Sequence, residues 1–430
     1  MKTDTLDLLR RFESRNVTFM ERDGSWPIVW DRAQGVHVWD VEGRKYLDLT
    51  AAFGVASAGH ANARVVRAGQ DQMGRLLHAM GDVHPHRLKA ELAQELNILW
   101  GQSMVSTGQH AKTIFCNSGF EAVEAALKTA MLATGRRGVM AFEGAYHGLG
   151  YGALNATHRE HFRAGFRSQL AEFGRFVSFP MRPDALPGVE KSLRSHFKSG
   201  AIGAVLVEPM QARGGINLPP RGFLPLLRRL CDAHGVLLIF DEIYTGFGRT
   251  GAWFACEHSG VQPDLLCLGK ALTGGFPLSA CVGRADVMDA AWPESTGEAI
   301  HTSTFLGHPV GCAMALAQIG EIRRLGLVKR SAKLGKLLLA ELRRLKAPGL
   351  RLRARGCGLF AGLELTRRGG SPATTESLSI IKRLLHRGFI FLPEGEHANV
   401  ISFTPPLTIT AGQLRRAVRA LGEELGRGTL

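Results

Sequence analysis

The sequence predicts an α/β protein with a mainly parallel central sheet of seven strands and a smaller α+β domain. Between about 110 and 285, seven short apolar runs alternate with helical segments. Runs this apolar, without an alternation of period two, are typical of strands that are covered on both faces. The runs begin at Thr113, Val139, Phe176, Ala204, Val236, Leu265 and Ala280. After about residue 312 the pattern changes to amphipathic helices and a few strands, which indicates a separate α+β unit.

The first sixty residues are expected to belong to the smaller domain, together with the end of the chain. Residues 35–49 alternate apolar and polar positions around the turn Asp40–Gly43, which is typical of a β-hairpin. The chain is therefore divided into an N-terminal segment (1–60), a large domain (61–312) and a C-terminal small-domain part (313–430). At 430 residues it is long enough to form both cores.

The composition is typical of a globular cytoplasmic protein. Seven scattered cysteines form no CxxC pair, so they predict neither a disulfide framework nor a zinc site and are interpreted as core residues in a reducing compartment. His158 and His161 lack a third ligand, so no metal is expected and both are interpreted as surface residues. The N-terminus has no apolar signal region and no run approaches eighteen apolar residues. We expect neither export nor a membrane span.

The positive charge raises the hypothesis of a nucleic-acid partner, because 53 lysines and arginines against 38 acids give a net charge of +15. Within 333–345, however, the leucines form one helical stripe and the basic residues lie on the opposite face. This pattern favours solvated helix faces over a nucleic-acid-binding patch. No nucleic-acid partner is expected, although a basic binding protein that retains an enzyme fold stays as a remote alternative.

Lys270 and Asp241 are the main candidates for chemistry. Lys270 closely follows the apolar run that begins at Leu265, where an amine can lose hydration and form an imine with an aldehyde. Asp241 ends the run 236–240, and an acid there needs a cationic partner. A protonated pyridine nitrogen is such a partner, and a charged ring stabilises the carbanion that forms when a substrate Cα loses its proton. The pair indicates pyridoxal phosphate (PLP), although most lysines in so basic a chain are solvated surface charges.

Two turns could complete a cofactor site. The small residues Asn117–Gly119 stand between a predicted strand and a helix, so helix N–H groups can hold a phosphate there, although such turns also serve as simple caps. Tyr146 follows another strand and is either a stacking aromatic for a flat ring or a core residue. Ligands of parallel sheets bind beyond the carboxyl ends of the strands. We therefore expect these turns to lie near Glu208, Asp241 and Lys270.

Seven motifs together resemble those of the class III aminotransferases, which include the ornithine, 4-aminobutyrate and ω-amino-acid transaminases. The motifs are NSGFEAVEAALK, EGAYHG, VEPMQ, LIFDEIYTGFGRTG, LGKALTGGFPLSA, HTSTFLGHP and FTPPL, in the order and spacing of the family, and the resemblance covers about 25 to 425. It implies the fold-type-I PLP transferase fold. It also implies a ping-pong transfer of an amino group from an amine or amino acid to a 2-oxo acid or aldehyde. A racemase or a decarboxylating relative on the same fold is the alternative.

The resemblance assigns roles to individual residues. It implies that Lys270 is the Schiff-base lysine and that Asp241 contacts the pyridine nitrogen. The remaining implied cofactor residues are Ser118, Gly119 and the amide of Phe120 at the phosphate, Tyr146 on the ring, His147 and Glu208 near it, and Thr304 from the neighbouring subunit. Glu208 has the alternative role of holding His147 or the turn in place. A site shared between subunits implies a homodimer.

The chain departs from the family at four positions. Phe120 replaces a small or hydroxylated residue, and Tyr244 stands where glutamine or valine is common. We hypothesise that the Tyr244 phenol donates a hydrogen bond to the ring oxygen of the cofactor. Ser402 occupies the position of the arginine that binds substrate carboxylates, and Arg213 occupies that of the glutamate that masks this arginine.

These last two departures suggest a relocated substrate site. We hypothesise that Arg213 binds the carboxylate from the opposite wall of the pocket. The alternative is that it pairs with a local acid at the dimer interface. Phe53 and Trp26 are further candidates for pocket walls, although large aromatic residues more often belong to the core.

Overall fold

The computed structural model describes residues 2–103 and 110–427. The helices are α1 (Lys2–Phe12), α2 (Ala51–Gly54), α3 (Ala63–Arg75), α4 (Arg87–Ser103), α5 (Gly119–Thr134), α6 (Tyr151–Ala156), α7 (Glu160–Arg163), α8 (Leu186–Phe197), α9 (Phe223–His234), α10 (Ala285–Ala291), α11 (Pro309–Arg324), α12 (Leu327–Arg343), α13 (Thr374–His386) and α14 (Ala411–Gly426). The strands are β1 (Trp30–Gln34), β2 (His37–Asp40), β3 (Lys45–Asp48), β4 (Ala111–Cys116), β5 (Gly138–Phe142), β6 (Gly174–Val177), β7 (Ile202–Val207), β8 (Leu237–Asp241), β9 (Leu265–Leu268), β10 (Ser279–Arg284), β11 (Leu350–Cys357), β12 (Phe360–Arg367), β13 (Phe389–Ile390), β14 (Leu392–Glu394) and β15 (Val400–Phe403).

The large domain is built on a seven-stranded sheet in the order β4-β10-β9-β8-β7-β5-β6. Strand β10 is antiparallel to β4 and β9, and the other neighbours are parallel. This confirms the predicted mainly parallel sheet. Since β4 and β9 both oppose β10, the carboxyl ends of β4, β5, β7, β8 and β9 meet at one edge.

The central strands are apolar because helices cover both faces of the sheet. Every residue of β7 is buried, as is every residue of β9. Helix α5 packs on the sheet through small side chains, including Ala122, Ala125 and Ala126, which allow the helix to approach closely. Buried apolar area of this kind stabilises a fold by about 25 cal/mol per Å².

The parts of the chain outside the large sheet form two smaller sheets, and one of them joins N-terminal and C-terminal strands. One has the order β1-β2-β3-β13 and the other β11-β12-β15-β14. Strands β2 and β3 form the predicted hairpin, and β3 pairs in parallel with β13 near the C-terminus. This pairing supports a small domain made from both ends of the chain. The exact boundaries stay a prediction, and the one at 312 falls inside α11, which packs against α3 and α4.

Arg249, in the loop after β8, connects this loop with residues next to α2, β12 and β15. Its fully buried guanidinium donates hydrogen bonds to the carbonyl oxygens of Leu359 (3.1 Å) and Pro405 (2.5 Å) and to Oγ of Ser57 (3.3 Å). Burial lowers the pKa of this guanidinium to about 10. Within the part of the chain described here, no helix is both long and apolar enough to cross a membrane.

Candidate active site

A cavity of about 470 Å³ lies at the carboxyl edge of the central sheet. This size is within the range of about 300–1,000 Å³ that is usual for small-molecule sites. Most residues predicted from the strand ends line it: Gly119, Phe120, Tyr146, His147, Glu208, Arg213, Asp241, Tyr244 and Lys270. The structure thus brings together side chains that are up to 151 positions apart in the chain, from 119 to 270.

Asp241 is the last residue of β8 and is 5% exposed. One carboxylate oxygen lies 2.8 Å from Nδ1 of His147, and the other accepts a hydrogen bond from the amide of Ile243 at 3.1 Å. These bonds fix the carboxylate at the cavity and offset part of the cost of its burial. The predicted residue His147 therefore holds the carboxylate of Asp241 in place. The other ring nitrogen, Nε2, is buried without a hydrogen-bond partner among the described residues.

Lys270 follows β9 and has a left-handed backbone conformation, with a φ of 41°. A residue with a side chain pays about 1–3 kcal/mol for such a conformation, and strain of this kind is concentrated at functional sites. Its Nζ lies 4.7 Å from the ring centre of Tyr244. Burial lowers the pKa of this amine, while Asp241 and Glu208 oppose that shift. A lowered pKa increases the fraction of the uncharged, nucleophilic amine.

The turn between β4 and α5 is suited to an anion. The carboxylate of Glu121 accepts hydrogen bonds from the amides of Asn117 and Ser118, at 2.6 and 2.9 Å. The following amides, of Gly119 and Phe120, open α5 and have no acceptor within the helix. Oγ of Ser118 is buried and lacks a partner among the described residues. The amides of Gly119 and Phe120 and the hydroxyl of Ser118 therefore fit a phosphate group.

Glycines near this turn allow close packing. A Cβ built on Gly119 would lie 3.1 Å from two side-chain carbons of Ile243. A Cβ on Gly148 would lie 2.3 Å from Cβ of Phe120. The large side chain of Phe120 is thus accommodated by the glycine that follows His147.

Glu208 lines the cavity and also contacts two of its turns. Its two oxygens accept hydrogen bonds from the amides of Tyr146 (3.1 Å) and Ala212 (2.9 Å). Burial raises the pKa of this carboxyl to about 7, although His147 opposes the shift. Glu208 therefore holds two cavity turns together. One of them presents the ring of Tyr146, and the other carries Arg213.

Tyr244 is buried, and its hydroxyl lies 3.2 Å from Oγ1 of Thr404. Burial raises the pKa of the phenol. The phenol therefore already has a partner in the small domain, which disfavours the hypothesis that it donates to the ring oxygen of the cofactor.

We expect the Tyr244→Phe variant to keep the pH titration of the visible absorbance of the cofactor-loaded protein, because the phenol is engaged with Thr404. The variant should lose about 1 kcal/mol of stability with that hydrogen bond. A spectrophotometric titration and a thermal melt measure the two effects. A titration midpoint displaced by about one pH unit, which corresponds to about 1.4 kcal/mol, would restore the ring-oxygen hypothesis.

The other predicted residues lie outside the cavity of their own chain. Thr304 is exposed beside Ser303, whose Oγ lies 3.4 Å from Nδ2 of Asn117. Ser402 is buried, and its hydroxyl donates to the carbonyl of Leu392 at 3.0 Å. Position 402, where the resemblance implied the place of a carboxylate-binding arginine, therefore holds no cation.

Of the two aromatic candidates, only Phe53 lies next to the site. It belongs to the short α2 turn, in which Ala51, Ala52 and Phe53 have φ values of 48°, 48° and 63°. This turn contacts the segment that begins at Lys270, and Phe53 is 48% exposed. Trp26 instead packs into the small-domain core around Val38.

Glu394 was not predicted as a site residue. It ends β14, its side chain is 1% exposed, and its Oε2 lies 3.5 Å from Nε of Arg213. Burial raises the pKa of this carboxyl to about 7, with Arg213 and Lys270 opposing. An acid after the apolar residues 389–392 is the same signal that identified Asp241, and it could have indicated Glu394 as well.

The arrangement fits PLP. A partly dehydrated amine, a fixed carboxylate, an anion-binding turn and an aromatic ring line one cavity, and each matches one part of that cofactor. In the described ranges, no cluster of three or more His, Cys, Asp or Glu side chains is arranged to hold a metal ion.

Comparison with known proteins agrees with this fit. The model of the family "Aminotransferase class-III" matches residues 19–425. The 5-aminovalerate aminotransferase DavT of Pseudomonas aeruginosa is 37% identical over 408 residues, which cover 92% of this chain and 93% of that protein. The 4-aminobutyrate aminotransferase GabT of Escherichia coli is 34% identical over 408 residues, with coverage of 92% and 93%.

A solved structure shows the same architecture. The PLP-bound amine transaminase from an uncultivated Pseudomonas species has a TM-score of 0.86 at 29% identity, and the match covers 97% of this chain and 99% of that one. A family model that spans nearly the whole chain, relatives of this identity and a cavity that fits the cofactor lead to one conclusion. This chain belongs to the class III aminotransferases and is a PLP-dependent enzyme.

Proposed function

We propose that this aminotransferase takes its amino group from a donor that also carries a carboxylate, and passes the group to a 2-oxo acid or aldehyde. The observation that carries the proposal is the position of Arg213, which lines the same cavity as Lys270 and Asp241. An arginine there binds carboxylates well because its planar fork matches their two oxygens. Two relatives named for 5-aminovalerate and 4-aminobutyrate, both amines with a carboxylate, are similar along most of the chain.

The residues divide the work as follows. When bound, PLP supplies an aldehyde for the donor amine and a ring that takes up the electron pair of the substrate Cα. Nζ of Lys270 would remove the proton from the substrate Cα as a general base and would then give it up again as an acid. Asp241, held by His147, would be the residue that holds the ring nitrogen of PLP. Tyr146 and Ile243, which line the cavity, would contact the ring.

A half-reaction tests the proposal. Cofactor-loaded protein is mixed with 5-aminovalerate or with pentylamine, which differ only in the carboxylate, and no acceptor is added. We expect the visible absorbance to fall and stay low until an oxo acid is supplied. The second-order rate constant should be at least about tenfold higher for 5-aminovalerate. Equal constants for the two amines would contradict a carboxylate-bearing donor, and an absorbance that recovers without acceptor would indicate the racemase alternative.

We also propose that Thr304 completes the phosphate site of a neighbouring subunit in a homodimer. In support, Thr304 is exposed in one chain, close to exposed apolar residues that include Phe305 at 54% and Ile300 at 69%. Sedimentation at assay concentration should give twice the chain mass of 46.7 kDa. A fully active monomer would contradict the shared site.

A cytoplasmic location is part of the same proposal. In support, the cysteines form no disulfide bond among the described residues, and six of the seven are buried. Cell fractionation tests the location. A nucleic-acid-binding role leaves Lys270 and Asp241 unexplained, and we do not propose it.

A further inference from the structure

Arg213 and Glu394 form an ion pair between two distant segments of the chain. Arg213 belongs to the loop after β7, whereas Glu394 ends β14 in the small domain. Arg213 lines the cavity and its side chain is 31% exposed, while that of Glu394 is 1% exposed. The guanidinium therefore lies between the cavity and the buried acid.

The contact engages only one edge of the guanidinium. Nε of Arg213 lies 3.5 Å from Oε2 of Glu394, and both atoms are buried without a hydrogen-bond partner among the described residues. This ion pair does not require the two terminal nitrogens, which form the fork that grips a carboxylate. The guanidinium carbon also lies 5.6 Å from the ring centre of Tyr146, which limits its movement on a second side.

The backbone of the loop that carries Arg213 is fixed by hydrogen bonds at several points. The amide of Gly395, next to Glu394, donates to the carbonyl of Arg213 at 3.1 Å. Arg355, on β11, donates to the carbonyl of Gly215 at 2.6 Å. The amide of Ala212 donates to Glu208. A loop held in this way loses little freedom when a ligand binds, which favours affinity.

A second arginine makes the acid necessary. Arg159 donates to the carbonyls of Gly395 (3.4 Å) and Glu396 (3.3 Å), close to both members of the pair. Two neighbouring arginines repel each other, so Arg213 needs a negative charge on its inner side to stay at the cavity. Glu394 supplies that charge.

We propose that Glu394 is a positioning residue that holds Arg213 with its terminal nitrogens toward the cavity, where they bind the carboxylate of a donor or an oxo acid. This inference rests on the proposed function, and it identifies the ion pair that would make the site selective for substrates with a carboxylate. The opposite role is that Glu394 masks Arg213 and competes with the substrate carboxylate. If Glu394 positions Arg213, neutralising Glu394 should weaken carboxylate binding. If Glu394 masks Arg213, the same change should strengthen carboxylate binding.

The test compares three variants of the cofactor-loaded protein. Arg213→Met removes the fork, Glu394→Gln removes the charge behind it, and Glu396→Gln makes the same change two positions away at an exposed residue as the matched control. Calorimetry measures the binding of glutarate, a dicarboxylate that has neither an amine nor an oxo group and cannot react. Stopped-flow absorbance measures the half-reactions with 5-aminovalerate and pentylamine.

We expect Arg213→Met to weaken glutarate binding and slow the reaction with 5-aminovalerate by about 10- to 100-fold, the range for one charge-assisted contact. Glu394→Gln should weaken glutarate binding and slow the reaction with 5-aminovalerate by about three- to tenfold. In Arg213→Met and Glu394→Gln, the pentylamine reaction should slow by a smaller factor than the 5-aminovalerate reaction, because pentylamine has no carboxylate to lose its contact. Glu396→Gln should resemble the unchanged protein in both reactions. If Glu394→Gln does not fold, Glu394→Asp, which keeps the charge but withdraws it, should show the same selective loss.

Three results would overturn the proposal. Tighter glutarate binding in Glu394→Gln would identify a mask. Equal losses for 5-aminovalerate and pentylamine would identify a purely structural acid. Absence of glutarate binding to the unchanged protein would remove the subsite itself. If the unchanged protein fails to distinguish the two amines, the proposed function fails, and glutarate binding still tests the role of Glu394 separately.

Discussion

Replacement of Lys270 by alanine is expected to lower kcat by about 10⁴-fold, the upper range for one general acid–base group. The amine is the only lysine nitrogen among the residues that line the described cavity, and burial lowers its pKa. On the roles proposed for Lys270, loss of this group would remove both the covalent attachment of the cofactor and the proton carrier. The phosphate turn, Asp241 and Tyr146 remain, so the variant should still bind the cofactor without a covalent bond.

Two measurements check this expectation. Turnover is measured with 5-aminovalerate and an oxo acid, and borohydride reduction followed by peptide mass analysis locates the attached cofactor. The adduct should map to Lys270 in the unchanged protein and disappear in the variant. Lys336→Ala, at an exposed position on α12, is the matched control and should change neither result. An adduct on a lysine other than Lys270 would refute the assignment on which the site is built.

The fold could be predicted largely because its central strands are buried on both faces. Burial makes each strand a continuous apolar run, and all seven runs correspond to strands of the sheet. Strand β11 was not predicted, because its residues alternate with arginines and are mostly only half-buried. The start of the small domain near 312 was equally hard to define, since α11 passes through that position without a break.

The residues of the site could be predicted where function follows directly from a strand end. Asp241 and Lys270 were found in this way, and they line one cavity. Contacts between residues that are far apart in the sequence could not be predicted in this way. Arg213 was expected to bind a carboxylate or to pair with a local acid, but its acid, Glu394, is 181 positions away (394 − 213) and belongs to the other domain. The contact of Tyr244 with Thr404 also depends on domain packing.

The second large effect is expected for Asp241→Asn, which should lower kcat by about 10²–10³-fold, as the loss of one fixed electrostatic contact does in other enzymes. Asparagine keeps the size of the side chain and one oxygen for the amide of Ile243, but it loses the negative charge. On the role proposed for Asp241, the ring nitrogen of PLP would then lack a counter-ion, and the ring would draw less electron density from the substrate Cα. His147 is not a substitute, because its Nδ1 is directed at the same carboxylate.

A control separates this electrostatic effect from simple loss of stability. Asp264, also buried, accepts a hydrogen bond from the amide of Leu238 at 2.7 Å and pairs with Arg228 and Arg284, but it does not line the cavity. Asp264→Asn should lower the melting temperature and leave kcat per folded molecule unchanged. Asp241→Asn should lower kcat per folded molecule and leave the melting temperature unchanged. Asp241→Glu should restore part of the activity because the charge returns. If Asp241→Asn retained full turnover, the ring nitrogen would need no charged partner, and the electron-sink role assigned to this carboxylate would be wrong.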